Sequence, residues 1–225
     1  MKMTETKVNL KEYELPYESC MGAWFIPEDI CDGLIRYYNH NIKNVTEGET
    51  YNDKVLVDHN IKHSLDLCIP RISYKHNDVI QYLWYLDRVI DNYEIKYPDS
   101  KKSPEYVISD PFNIQKYPKG GGFKIWHHER SKGLEERIFV FMTYLNDIDN
   151  AGTEFLHQNI KIPAKKGLTV FWPADWTHTH RGIITHKDEK MIATGWFESV
   201  TVKKWKNESI KSKNITPEET DFSDK

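Results

Sequence analysis

Two residues able to bind a divalent metal stand two positions apart in the segment 125–129, which has the sequence Ile-Trp-His-His-Glu. Side chains alternate across an extended strand, so His127 and Glu129 would project from one face and His128 from the other. One strand could therefore supply two ligands to one ion. Alone, the pair is weak evidence for a metal site, because most His-x-Glu pairs are solvated surface residues.

A third ligand could come from His178 or His180, which follow the apolar run 168–172 and the turn 173–175. Two histidines and one carboxylate that leave coordination positions open are the ligand set of non-heme Fe(II) oxygenases. Zinc accepts the same ligands. The residues themselves therefore leave open both the metal and the choice between the two later histidines.

A lysine follows ten positions after His180, at the start of a segment that alternates in strand fashion. Within 190–197, the side chains of Lys190, Ile192, Thr194 and Trp196 would share one face. A buried ammonium needs an anionic partner. A dicarboxylate co-substrate would provide it by binding the metal at one end and Lys190 and Thr194 at the other. The alternative is a solvent-facing lysine on an edge strand.

The elements that must position these residues fall into two groups. Two amphipathic helices are predicted first: one has Pro27 at its first helical position, and the other spans about 78–93 with Asn77 as its N-cap. Strands are predicted near 111–118, 123–129, 137–145, 153–156, 168–172, 177–184 and 190–201. Helices followed by a series of short strands predict an α+β fold whose functional body is an antiparallel sandwich or jelly roll.

Length and composition indicate one domain with a sizeable core. The chain has 225 residues and a formal charge of −3, a balance that predicts neither a nucleic-acid partner nor an anionic membrane partner. The N-terminus has no apolar signal region, no run approaches a membrane span, and Cys20, Cys31 and Cys68 form no C-x-x-C pair. We therefore expect a reducing, cytosolic setting without disulfides or structural zinc.

In order and spacing together, six segments resemble the 2-oxoglutarate- and Fe(II)-dependent dioxygenases, specifically the prolyl 4-hydroxylase-like branch found also in phage and algal-virus genomes. They are 117–129, 144–147, 152–155, 166–173, 178–182 and 190–196. The resemblance implies a double-stranded β-helix, a cupin-like jelly roll of antiparallel strands with N-terminal supporting helices. It implies one dioxygenase domain over 1–203, with helical support at about 20–100 and the jelly-roll core at about 105–203. The remaining 204–225 have the polar composition of a flexible tail.

Carried over to this chain, the resemblance assigns iron to His127, Glu129 and His180. His180 lies ten positions before Lys190, which fits the family spacing, whereas His178 lies twelve before it and is the competing distal ligand. The resemblance also implies that Lys190, Thr194 and the hydroxyl of Tyr117 bind 2-oxoglutarate as co-substrate.

This chain departs from the family pattern near these positions. Glu129 stands where the family usually has Asp. Relatives that halogenate carry a small residue at this position. Because this chain retains a carboxylate, the resemblance favours hydroxylation over halogenation. Phe123 stands where many relatives have Tyr. Thr143 occupies a position at which some relatives carry a second co-substrate-binding tyrosine, and its side chain is too short to replace that contact with ease.

Other aromatic and basic residues nearby are assigned structural roles. Trp126, Trp172 and Trp196 are predicted to be core aromatics of the barrel. Arg137 and Arg181 could contact substrate or 2-oxoglutarate, but surface ion pairs are the predicted role of both.

The implied reaction is hydroxylation of a C–H bond, with a peptidyl proline as the favoured substrate, coupled to decarboxylation of 2-oxoglutarate to succinate and CO2. O2 is the second substrate, Fe(II) the metal, and ascorbate a supporting reductant. Other peptides, proteins and small molecules stay open as substrates, in the cytoplasm or, for a viral protein, in the host cytoplasm. Two further classes stay open: a non-enzymatic jelly-roll module that binds a metal or ligand, and a zinc hydrolase.

Overall fold

A computed structural model describes residues 9–52 and 54–201 of the chain. Its helices are α1 (Glu28–His40) and α2 (Asn77–Lys96). The strands are, in chain order, β1 (Lys11–Glu12), β2 (Gly22–Phe25), β3 (Thr46–Glu47), β4 (Thr50–Asn52), β5 (Lys54–Leu56), β6 (Lys62–His63), β7 (Leu65–Ile69), β8 (Tyr106–Ile108), β9 (Phe112–Tyr117), β10 (Gly122–Phe123), β11 (Arg137–Tyr144), β12 (Ile148–Phe155), β13 (Ile160–Ala164), β14 (Leu168–Pro173), β15 (His180–Ile183) and β16 (Lys190–Ser199). The tail predicted over 204–225 lies outside the described residues, and the domain boundary near residue 203 stays a prediction.

Two antiparallel sheets form the double-stranded β-helix. The larger sheet has the order β1-β2-β14-β11-β16-β9-β7-β3, and β8 also pairs with β16. The smaller sheet has the order β13-β12-β15. A backbone bridge between His127 and His180 joins the segment after β10 to the free edge of β15. The α+β class and the double-stranded β-helix predicted from the sequence are confirmed.

Alternation along β11 lets one strand serve two cores. Phe139 and Phe141 belong to the core formed with the helices, where they contact the rings of Tyr93 and Tyr82 of α2. Val140 and Met142 project from the other face of the same strand into the core between the two sheets. The helices therefore cover the outer face of the larger sheet, and its inner face is left to line the interior of the β-helix.

Both predicted helices are present, with different N-terminal boundaries. Pro27 is the N-cap of α1 and does not occupy its first helical position. The N-cap of α2 is His76, whose Nδ1 accepts a hydrogen bond from the backbone N–H of Asp78 at 3.3 Å. The prediction that Asn77 caps α2 was wrong, because Asn77 already belongs to the helix. Neither helix of the described chain is long and apolar enough to cross a membrane.

The strands that build the inner face of the larger sheet were predicted correctly, whereas those near the metal-binding candidates were not. The predictions for β9, β11, β14 and β16 are confirmed. The predicted strand 123–129 ends at Phe123, and beyond it only the single bridge at His127 remains. The predicted strand 177–184 begins with a 3-10 turn, Trp176–His178, before β15. Strand β13 was not predicted.

Candidate metal centre

His127, Glu129 and His180 meet inside the β-helix. One candidate ligand atom from each residue lies within 4.8 Å of the others. Oε1 of Glu129 is 3.4 Å from Nε2 of His127 and 3.7 Å from Nε2 of His180. The backbone bridge brings the two histidines together, because each donates its N–H to the carbonyl of the other, at 3.0 and 2.8 Å. The structure thus places the three predicted residues side by side; their role as metal ligands stays a prediction.

Backbone carbonyls orient both imidazole rings. Nδ1 of His127 is 3.1 Å from the carbonyl oxygen of Ile125, and Nδ1 of His180 is 2.8 Å from that of His178. A carbonyl only accepts, so Nδ1 carries a proton in each ring and Nε2 is the atom left to bind a metal. Burial, with the nearby His127, lowers the pKa of His180 to about 3, which keeps the His180 ring neutral. Two Nε2 atoms facing one carboxylate oxygen, each ring fixed through Nδ1, fit a divalent metal.

The second oxygen of Glu129 is held by two residues of the larger sheet. Oε2 accepts hydrogen bonds from Nε1 of Trp196 at 2.8 Å and from the guanidinium of Arg137 at 3.2 Å. The guanidinium also stacks on the Trp196 ring, 3.6 Å from its centroid. Burial favours a higher pKa for the Glu129 carboxyl, but His127, His180 and Arg137 outweigh it and hold the pKa well below its usual value. Glu129 is therefore a carboxylate whose Oε1 alone faces the histidines.

These contacts correct several of the roles predicted from the sequence. Arg137 does not form a surface ion pair, because only 16% of its side chain is exposed and it contacts Glu129, which is equally shielded from solvent. Trp196 lines the site and is not a core aromatic. Trp126 is half-buried beneath Arg181, 4.3 Å from the guanidinium, and not in the core. The prediction of a core position for Trp172 is confirmed.

A cavity of about 690 Å³ extends from this cluster along the inner face of the larger sheet. Lys190, Ile192, Thr194 and Trp196 all line it, which confirms that they share one face of β16. Lys190 is 5% exposed, and its Nζ donates to the carbonyl of Gly152 at 3.2 Å. Among the described residues, no Asp or Glu side chain forms an ion pair with Lys190. Burial lowers the pKa of Lys190 to about 8.

Tyr117 lies beside Lys190 on the adjacent strand, and Thr194 lies four positions farther along β16. Tyr117 is the β9 partner of Lys190, and its ring centroid is 5.0 Å from Nζ. Its hydroxyl donates to Oε1 of Gln115 at 2.5 Å. The hydroxyl of Thr194 donates to the carbonyl of Phe141 at 2.9 Å. The predicted co-substrate contacts therefore lie around one cavity wall, and binding of 2-oxoglutarate there stays a prediction.

Two other candidates lie elsewhere. His178 is buried in the 3-10 turn before β15, and its Nε2 is 2.9 Å from the carbonyl oxygen of Ser19, outside the cluster. Thr143 projects from the helix-facing side of β11, where its hydroxyl is hydrogen-bonded to the hydroxyls of Tyr82 and Thr169.

Three residues that shape the site had no role there in the sequence-based predictions. The alternation of β16 already placed Trp196 on the same face as Lys190, so a signal existed for it. Gln115 similarly shares a face of β9 with Tyr117. For Arg137 the sequence carries no signal, because its contact with Glu129 depends on how two segments meet.

Comparisons with known proteins agree with this geometry. Residues 112–198 match the 2OG-Fe(II) oxygenase superfamily. Procollagen-lysine,2-oxoglutarate 5-dioxygenase 1 of Gallus gallus is 24% identical over 196 residues, which are 84% of this chain and 25% of that protein. The chain thus spans about a quarter of the length of this curated relative.

Several similar solved structures are prolyl hydroxylases. A Pseudomonas putida prolyl-4-hydroxylase is 16% identical with a TM-score of 0.59, over 80% of this chain and 92% of that one. The viral collagen prolyl hydroxylase of Paramecium Bursaria Chlorella virus-1, in its 2OG complex, is 18% identical with a TM-score of 0.57, over 78% and 93%. A Trichoplax adhaerens prolyl hydroxylase, in complex with a hypoxia inducible factor peptide fragment, is 13% identical with a TM-score of 0.63, over 83% and 87%. At these identities, the likeness shows a shared fold.

Proposed function

We propose that the chain is a dioxygenase that uses Fe(II) and 2-oxoglutarate to hydroxylate a C–H bond, a proposal supported by the match of residues 112–198 to the 2OG-Fe(II) oxygenase superfamily. One observation carries the proposal: two histidine Nε2 atoms and one carboxylate oxygen converge in the same cavity as a buried lysine that has no acidic partner in the described chain. This cavity combines a candidate site for a divalent cation with a candidate site for an anion.

His127, Glu129 and His180 would hold the iron through Nε2, Oε1 and Nε2. Bound iron would supply the O2 activation that couples decarboxylation of 2-oxoglutarate to oxidation of a substrate C–H bond. Arg137 and Trp196 fix Oε2, so the carboxylate cannot turn to offer both oxygens. Phe123 stacks on the His127 ring with centroids 3.6 Å apart, which adds a further restraint on that ligand.

Lys190 would bind the carboxylate of 2-oxoglutarate that is remote from the metal. Its burial makes the ammonium costly without an anion, so an incoming carboxylate gains a charge-assisted hydrogen bond while relieving that cost. The cavity of about 690 Å³ is larger than 2-oxoglutarate alone requires, which leaves room for the substrate group beside the metal ligands.

For the substrate, we propose a peptidyl proline, supported by prolyl hydroxylases among the similar solved structures. A peptidyl lysine is the second candidate, because the curated relative is named as a procollagen-lysine dioxygenase. Matched peptide libraries that differ only in proline or lysine at the central position separate the two. The expected product carries one additional oxygen, measured by mass spectrometry.

The enzymatic proposal is tested by succinate formation. Protein purified without oxygen, then given Fe(II), ascorbate, O2 and 2-oxoglutarate, should form succinate slowly even without substrate. His127→Ala should abolish this activity, whereas His178→Ala should retain it, because His178 lies outside the cluster. A wild-type protein that forms no succinate would favour a non-enzymatic binding module. Tightly bound zinc with no dependence on 2-oxoglutarate would instead indicate a zinc hydrolase.

A further inference from the structure

Four buried side chains form a polar chain that ends beside the candidate anion site. Nζ of Lys62 forms an ion pair with Oδ2 of Asp66 at 2.5 Å. The same oxygen is 3.2 Å from Nε2 of Gln115, and Oε1 of Gln115 is 2.5 Å from the hydroxyl of Tyr117. All four residues are at most 9% exposed. These four polar side chains extend from β6 through β7 to β9, and Tyr117 at the end of β9 pairs with Lys190.

The chemistry of these four side chains sets the direction of every hydrogen bond between them. The Asp66 carboxylate, already paired with Lys62, only accepts, so Gln115 must turn its NH2 group toward Asp66. The amide oxygen of Gln115 then faces Tyr117, and an amide oxygen also only accepts. Tyr117 must therefore donate its one hydroxyl proton to Gln115 and present lone pairs to any group on its other side.

Among Lys190, Tyr117 and Thr194, only Lys190 has hydrogen-bond donors left for an incoming group. The Thr194 hydroxyl donates to the carbonyl of Phe141, and the Tyr117 hydroxyl donates to Gln115. Nζ of Lys190 has three donors, and its one hydrogen bond in the structure is to the carbonyl of Gly152. An incoming carboxylate, which only accepts, can therefore bond to Lys190 but meets the lone pairs of Tyr117.

We infer that Gln115 sets the affinity for 2-oxoglutarate by holding the proton of Tyr117 away from the co-substrate carboxylate. This inference rests on the proposed function, since it takes 2-oxoglutarate as the ligand at Lys190. For Tyr117 to donate to the co-substrate, its hydroxyl must leave Gln115 and strand a buried amide oxygen without a donor. The loss offsets the gain, so the wild-type hydroxyl adds little to net affinity.

The test is a double-mutant cycle on 2-oxoglutarate binding, measured by titration calorimetry on the full chain loaded with Mn(II) in place of Fe(II). Gln115→Leu frees the Tyr117 proton, and we expect it to bind 2-oxoglutarate about tenfold more tightly, the size of one charge-assisted hydrogen bond. Tyr117→Phe should bind within about twofold of wild type, because the proton that it removes was never offered to the co-substrate. The double variant should match Tyr117→Phe.

Gln158→Leu is the matched control, since it makes the same substitution at a glutamine that lies outside the cavity and donates to the carbonyl of Thr177. It should leave the affinity unchanged. Gln115→Met, similar in length to Gln and without a strong acceptor, replaces Gln115→Leu if thermal unfolding shows that the leucine variant is not folded. Tighter binding is a result that loss of structure does not produce.

Three results would overturn the inference while the wild type still binds 2-oxoglutarate: no tightening in Gln115→Leu, tightening that persists when Tyr117→Phe is added to Gln115→Leu, or equal tightening in Gln158→Leu. A marked loss of affinity in Tyr117→Phe alone would do the same. If wild-type protein with Mn(II) does not bind 2-oxoglutarate, the inference and the proposed function both fail, and that outcome is distinct from the others.

Discussion

Replacement of the buried Lys190 by methionine should stabilise the metal-free protein and abolish binding of 2-oxoglutarate. Methionine has a similar length and fits an apolar wall, and it removes the ammonium that is 5% exposed and has no carboxylate partner in the described chain. The same group is thus expected to oppose folding and to support function.

The size of the effect follows from the pKa of Lys190, which burial lowers from 10.5 to about 8. At 1.36 kcal/mol for each tenfold change in proton affinity, this difference corresponds to about 3 kcal/mol of unfavourable burial. Loss of the hydrogen bond to the Gly152 carbonyl offsets about 1 kcal/mol of the gain. Lys190→Met should therefore raise the free energy of unfolding at pH 7 by about 2 kcal/mol.

The pH dependence has a definite sign. Between about pH 8 and 10.5 the unfolded chain holds a proton on Lys190 that the folded chain has lost, so wild-type stability rises with pH in that window. The advantage of Lys190→Met should be constant below about pH 8 and shrink above it. Binding of 2-oxoglutarate to the wild type should weaken over the same range, because the ammonium that binds its carboxylate loses its charge.

The assay is urea unfolding of both proteins from pH 6 to 10, with Lys116→Met as the matched control. Lys116 is on β9, with 31% of its side chain exposed, and pairs with Glu189 at 2.9 Å, so its replacement should change stability by less than about 1 kcal/mol. When both proteins already contain Mn(II), adding 2-oxoglutarate at 100 times the wild-type Kd should stabilise only the wild type, by about 2.7 kcal/mol. If Lys190→Met is less stable than wild type at pH 7 and their difference does not depend on pH, the reasoning from buried charge is refuted.

Two further predictions concern the metal centre. Arg137→Met should lower the free energy of unfolding by about 2–3 kcal/mol and Mn(II) affinity by about 10–100-fold, because Glu129 loses the partner that orients its carboxylate. Arg181→Met removes the more exposed ion pair with Glu154, so it should cost less than about 1 kcal/mol with no change in Mn(II) affinity. Equal losses in both variants would contradict the assignment of Arg137 to Glu129. His180→Ala should abolish Mn(II) binding, measured by calorimetry. His178→Ala should still bind Mn(II) but should lower the free energy of unfolding by about 1–3 kcal/mol, because it removes a buried hydrogen bond. The reverse pattern would make His178 the ligand.

The inner wall of the site was predictable because it depends on local periodicity. A strand alternates its side chains whatever sheet it joins, so the spacing of Lys190, Thr194 and Trp196 sufficed to place them on one face of β16. The same rule failed for His127 and Glu129 as members of a strand. That segment has one bridge to β15, and its residues converge because two separate chain segments meet there.

The choice between His178 and His180 shows the same limit. Spacing to Lys190 favoured His180, and the structure brings His180 to His127 and Glu129 through the bridge, whereas a 3-10 turn directs His178 to the carbonyl of Ser19. A strand through both histidines would have placed them on one face. The turn that separates them depends on contacts with a segment about 160 residues earlier in the chain.

By itself, the sequence determined which groups are available: His, Glu and His for a candidate cation site, Lys190 for a candidate anion site, and the alternating strands that carry most of them. Tertiary structure alone decided which atoms of these groups are free. It assigned Oε2 of Glu129 to Arg137 and Trp196, and the proton of Tyr117 to Gln115. The hydrogen bonds of Glu129 join segments that are distant in sequence, and that of Tyr117 depends on which way the buried amide of Gln115 turns. Tertiary packing fixes both, and no local sequence pattern encodes it.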